Sequence, residues 1–152
     1  MNDIINEQEM GTEALIMELA SIGIETESEG PGLIYVTDLK FNFWIRTNDK
    51  TRYLTLSTYS SIVETEDELE TLRFVNELND AWSLMQFSAS RQHERLYAFY
   101  MLSYKGGLLR AQFRRALVHF SNIFAGVVSE GQARGLMAPA AAQPLTVQIG
   151  SN

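Results

Sequence analysis

The sequence predicts an α+β fold in the order α-β-β-β-α-β-β-α, with one antiparallel sheet packed against helices. Three observations predict it. Leu109, Phe113, Ala116, Leu117, Phe120, Phe124 and Val127 recur at helical spacing and form one stripe. Alternation with a period of two appears over residues 39–46 and 53–59, and again over 82–89 and 96–103. Between these two blocks, residues 66–79 open with acidic residues and read as a helix. Each element has apolar side chains to hide, so sheet and helices are expected to separate into layers.

Taken in order, the first helix is expected over residues 12–21. Thr12 is its expected cap, and Leu15, Ile16, Leu19 and Ile22 form its inner face. Gly23 stands where a left-handed residue ends a helix, with Ile24 placed to pack back on it. Residues 1–11 either extend this helix or lie loose. The polar run 25–32 holds a short edge strand and ends in a turn at Gly30-Pro31-Gly32. Residues 33–36 are a brief apolar strand. From Leu39, odd positions through Ile45 are apolar, except that Trp44 places a large ring on the polar face. Asn48-Asp49-Lys50-Thr51 is a turn, and threonine and tyrosine then favour a strand over 53–59.

Thr65 is the expected cap of the second helix, and Glu68 completes a capping box. The following strand pair is apolar on both faces, which requires helices on both sides or a partner on one. Gly106-Gly107 turns the chain into the last helix. Residues 132–152 are rich in Gly, Ala, Pro and Gln and are expected to be a flexible tail beyond a domain spanning 1–131, with residues 145–149 as a late strand or docking peptide.

The 152-residue length suits one domain with its own core. Without cysteine there are no disulfides, thiol chemistry or cysteine-bound metals. The N-terminus lacks signal-peptide order, and no apolar run approaches the roughly 20 residues needed to span a bilayer. The expected location is the cytoplasm. Net charge is -7 but uneven: residues 1–90 carry 5 basic against 17 acidic groups, residues 91–152 carry 7 against 2. The two halves are expected to neutralise each other on folding, and overall acidity argues against a nucleic-acid ligand.

No catalytic, cofactor or metal site is expected. His93 falls in a turn with only Glu94 beside it, and His119 at the margin of the last helix's stripe. The carboxylates Glu64, Glu66, Asp67, Glu68 and Glu70 are explained by a helix start. Gly30-Pro31-Gly32 precedes a strand and lacks the lysine of a phosphate loop.

Asn76 and Asn79 lie about 20° round the helical wheel from Leu69 and Leu72, which directs both amides toward the buried side. Their expected role is structural: tying the helix end to the chain entering the next strand. Phe74 and Leu78 then fall about 140° and 180° from Leu69, on a second apolar side. With Trp44, Tyr97, Phe99 and Met101 they make more apolar surface than one small subunit is expected to hide. These six, together with Arg110 and Arg114 at i, i+4, are the candidate interface.

The run Leu72-Arg73-Phe74-Val75-Asn76-Glu77-Leu78-Asn79, followed by a strand pair, Gly107-Leu108-Leu109 and a helix ending in Phe120-Ser121-Asn122-Ile123-Phe124, resembles the YbjN family. So does the earlier Ser21-Ile22-Gly23-Ile24 step, and the resemblance covers about residues 12–130. That family is catalogued under bacterial sensory transduction regulation and has a fold similar to type III secretion chaperones. The resemblance implies a small, cytoplasmic, non-enzymatic protein that acts through protein contacts as a dimer. It supplies no catalytic residues, and Asn76 and Asn79 match its recurrent asparagines. The resulting expectation is a protein-interaction module that forms a homodimer and takes a protein client or regulatory partner. The alternative is a regulatory domain sensing a small molecule in a cavity between sheet and helices.

Overall fold

A computed structural model describes residues 2–64 and 67–139. The elements run β1 (Ile4–Ile5), a 3₁₀ turn (Glu7–Glu9), α1 (Thr12–Ser21), β2 (Thr26–Ser28), β3 (Leu33–Val36), β4 (Phe43–Asn48), β5 (Tyr53–Ser61), α2 (Leu69–Ala81), β6 (Gln86–Ser90), β7 (Arg95–Ser103), β8 (Leu108–Leu109) and α3 (Arg110–Ala133). The main sheet has six strands in the order β2-β3-β4-β5-β7-β6, and β1 pairs with β8 in a second, two-stranded sheet. The class is α+β, with that small sheet as an addition to the expected order.

Several boundaries differ from the sequence reading. Gly11 rather than Thr12 precedes α1; the Thr12 hydroxyl instead accepts the Gly32 N–H at 2.8 Å. The end of α1 follows expectation: Gly23 has φ +77°, and Ile24 N–H reaches back to Leu19 C=O. β4 begins at Phe43, four residues later than the alternation suggested, because residues 39–42 lead into the strand rather than pair within it. The expected cap Thr65 lies outside the described residues. α2 starts at Leu69, whose N–H is taken by the Asp67 carboxylate at 2.9 Å. Trp82 and Leu84 are exposed in the turn after α2, so β6 starts only at Gln86.

The described residues divide into two compact units: those of Met1–Thr58 with Phe99–Phe124, and those of Tyr59–Ala98 with residues 125–139. In the first, Phe43, Ile45, Leu54 and Leu56 are fully buried on one face of the sheet. α3 packs on this face through edge-on contacts of Phe120 with Phe43 and Phe124 with Phe41. The Ser121 hydroxyl both accepts from Phe41 N–H (2.7 Å) and donates to Phe41 C=O (3.0 Å), satisfying a backbone segment outside the ladder. Tyr104, fully buried, donates its hydroxyl to Asn48 C=O at 3.0 Å, and burial pushes its phenol up from the ordinary value.

In the second unit, Phe74 and Leu78 of α2 are buried with Met85 and Phe87. The guanidinium of Arg134 lies 4.8 Å over the Phe74 ring and donates to Glu77 at 2.8 Å. That bond holds the Glu77 carboxyl below the usual carboxylate range. The expected tail does not begin at 132. Val63 N–H reaches Leu136 C=O, Ala138 N–H reaches Ser61 C=O, and Met137 is buried. Gly131 permits this return, since a Cβ there would come within 2.1 Å of the Met137 side chain. Residues 140–152, including the expected docking peptide 145–149, lie outside the described residues.

Candidate functional site

The first unit has two notable groups. One is the sheet face opposite α3. Trp44 pairs across to Ser57. The bonds Tyr104 N–H to Arg52 C=O and Ile62 N–H to Glu94 C=O set β5 antiparallel to β7. That register places Ser57 opposite Phe99 and Thr55 opposite Met101. Trp44 stacks on Tyr35, ring centroids 4.7 Å apart, and donates its indole N–H to Glu29 at 3.0 Å. Trp44 and Phe99 are half-buried, and Met101 is 57% exposed. Three of the candidate interface residues thus share one sheet face within this unit. Tyr97, also half-buried, falls in the second unit, where its ring meets Tyr59 at 5.8 Å.

The other group is an ion cluster that the sequence reading missed. Glu18 of α1 is 3% exposed and accepts from both Arg110 and Arg114, with Arg114 Nε at 2.7 Å. Arg110 also donates through Nε to Asn2 C=O at 2.7 Å. These two arginines, named above among the candidate interface residues, are therefore engaged with Glu18 within their own unit. The signal was present in the sequence: Glu18 interrupts the apolar face of α1 between Leu15 and Leu19, while two arginines stand one helical turn apart on α3.

In the second unit Phe74 and Leu78, expected outside, are core, and Leu69 and Leu72, expected inside, are 50% and 54% exposed. The buried stripe is Thr71, Phe74 and Leu78, spaced at i, i+3, i+7. Asn76 is accordingly exposed. Asn79 is also at the surface, yet its side chain makes two bonds, accepting from Phe87 N–H (2.8 Å) and donating to Phe87 C=O (3.0 Å). It acts as a one-residue strand partner for β6. Beside the start of α2 lies an open cleft of about 230 Å³ with an apolar lining of Ile62, Val63, Leu72 and Ala89. Its polar members are Glu64, Glu68, Thr71, Glu94 and Arg91, and Arg91 is paired with Glu68 at 2.5 Å. His93 and His119 are exposed and apart from this cleft's lining. Among the described residues no group of His, Asp and Glu is disposed to hold a metal ion, and no helix is long and apolar enough to cross a membrane.

The model of the family described as "YbjN: Putative bacterial sensory transduction regulator" matches residues 13–129. The chain belongs to the YbjN family. Its fold is similar to the crystal structure of YbjN from E. coli, described as "a putative transcription regulator", with a TM-score of 0.67 and 16% identity over 84% of this chain and 95% of that one. No curated protein matches the chain at a significant level. Membership places the chain among regulators, and the matched span takes in α2, β6 and the Asn79–Phe87 bonds.

That pair of bonds in this YbjN-family chain leads to a specific expectation. Asn79→Ala leaves the Phe87 N–H and C=O to water at a sheet edge, and is expected to cost about 1–2 kcal/mol. It should also accelerate hydrogen exchange at the Phe87 amide. Exchange unchanged from the parent protein would show that the Asn79 side chain does not hold that strand.

Proposed function

We propose that this chain is a cytoplasmic regulatory protein that works by binding protein rather than by catalysis, and that its first partner is a second copy of itself. The observation that carries this reading is the sheet face of the first unit opposite α3. Trp44 of β4 and Phe99 and Met101 of β7 flank β5 there, while the alternate residues Phe43, Ile45, Leu54 and Leu56 are wholly buried on the side of α3. Aromatic and methionine side chains are enriched in protein interfaces, and methionine adapts its shape to a partner. Of the residues first assigned to an interface, Trp44, Phe99 and Met101 support it together.

The small-molecule reading is weaker on size. The cleft beside α2, at about 230 Å³, falls below the roughly 300–1,000 Å³ of ordinary ligand pockets. It suits a side chain better than a metabolite.

Light scattering during gel filtration tests the proposal. The parent chain is expected at twice the mass of one chain. Met101→Lys is expected to shift it toward one chain while leaving the melting curve in place, since a substitution at an exposed position changes stability by only about 0.5 kcal/mol or less. A parent protein that runs as a single chain, or a dimer that Met101→Lys with Phe99→Lys leaves intact, would remove this face from the account.

A further inference from the structure

A second surface, independent of the sheet-face dimer, lies in the second unit. β6 is an edge strand with the sequence Gln-Phe-Ser-Ala-Ser. It has neither charge nor proline, the usual guards against an added strand. Asn79 closes this edge at Phe87 by bonding both of its backbone groups. In an antiparallel ladder, residues two apart present N–H and C=O to the same side, so Ala89 offers its pair on the side that Asn79 blocks at Phe87. Ala89 also lines the cleft with Ile62, Val63 and Leu72. Among the described charged residues of the cleft, three carboxylates (Glu64, Glu68 and Glu94) stand against one guanidinium, Arg91, which Glu68 already holds.

The geometry points to a docking site for an extended, basic segment of a partner protein. Its backbone pairs with Ala89 as an added strand, one apolar side chain enters the cleft over Val63 and Leu72, and neighbouring lysines or arginines meet Glu64 and Glu94. Strand addition supplies affinity through the main chain and leaves specificity to alternate side chains. Here the apolar lining selects one residue, and the acidic surroundings select the sign of its neighbours. Asn79 sets the register by stopping the added strand short of Phe87.

The test uses fluorescent peptides of alternating lysine and valine, alternating glutamate and valine, and the lysine peptide with alternate backbone amides methylated. The full-length protein is followed by anisotropy and by backbone NMR. The lysine peptide is expected to bind and to shift the signals of Val63, Leu72 and Ala89. The glutamate and methylated peptides are each expected to bind at least about tenfold more weakly. Ala89→Pro removes the outward N–H without breaking a ladder bond to β7, and should weaken the lysine peptide to a similar degree. Glu64→Lys with Glu94→Lys, both exposed positions, should reverse the preference between the two charged peptides. Equal binding of the two charged peptides, or affinity unchanged by both sets of variants, overturns the proposal. So do shifts at Val63, Leu72 and Ala89 that appear on raising the protein's own concentration without peptide, which would make a second copy the occupant.

Discussion

Replacing both arginines around Glu18 (Arg110→Met with Arg114→Met) is expected to cost about 3–5 kcal/mol, the range for leaving a buried charge without its partner. The Glu18 side chain is 2% exposed, so its carboxylate has no route to water once the guanidiniums are gone. Methionine keeps most of the aliphatic stem, so the loss reports the charge rather than a cavity. The converse substitution is expected to behave differently. The Arg110 and Arg114 side chains are 29% and 37% exposed, so after Glu18→Leu their heads can turn to solvent. Leucine there joins the apolar face made by Leu15 and Leu19, and the expected cost is about 1 kcal/mol or less. Urea unfolding of the two variants side by side checks the asymmetry. If Glu18→Leu costs as much as the double arginine change, the cluster is a net source of stability rather than a burden carried in balance.

What the sequence made legible was set by how far each signal depended on distant partners. The stripe on α3 was read correctly from Phe113 through Val127 because six apolar residues at one spacing admit only one buried face, whereas Leu109, counted with them, is 50% exposed in β8. β5 was legible for the same reason, with Leu54, Leu56 and Thr58 alternating against polar neighbours. α2 was not. Its residues 69, 72, 74, 75 and 78 allow two apolar faces, and treating Asn76 and Asn79 as buried chose the wrong one. Phe74 and Leu78 at i, i+4, with Thr71 one turn earlier, make the better stripe, and the asparagines then fall outside it. Asn79 still finds two partners at the surface, because a strand edge has backbone groups to satisfy there. β1 and β8 were invisible, being two residues each and made only by pairing across more than a hundred positions. Glu18 was passed over because an acidic residue in an acidic half looks like surface, although its place between Leu15 and Leu19 says otherwise.

Phe74→Asp is expected to unfold the second unit rather than separate two subunits, the reverse of what the sequence alone suggested. Phe74 is 1% exposed, packed in a core with Leu78, Met85 and Phe87 and covered by the Arg134 guanidinium at 4.8 Å. Truncating such a phenylalanine to alanine costs about 3–5 kcal/mol through lost burial and the cavity left behind. An aspartate adds the cost of a buried carboxylate, and together these approach the 5–15 kcal/mol that holds a typical domain folded. Leu72→Asp, at a position 54% exposed on the same helix, is expected to leave the melting curve within about 0.5 kcal/mol of the parent. Thermal melts paired with amide NMR of residues 69–98 separate the two cases. Phe74→Asp should lose the dispersed signals of α2 and β6, whereas Leu72→Asp should retain them and change only the residues lining the cleft. A Phe74→Asp protein that melts like the parent would mean that this side chain is not core. Loss of a dimer in a Phe74 variant, by contrast, reports unfolding and cannot locate an interface; Met101 and Leu72, whose side chains stand in solvent, are the positions that can.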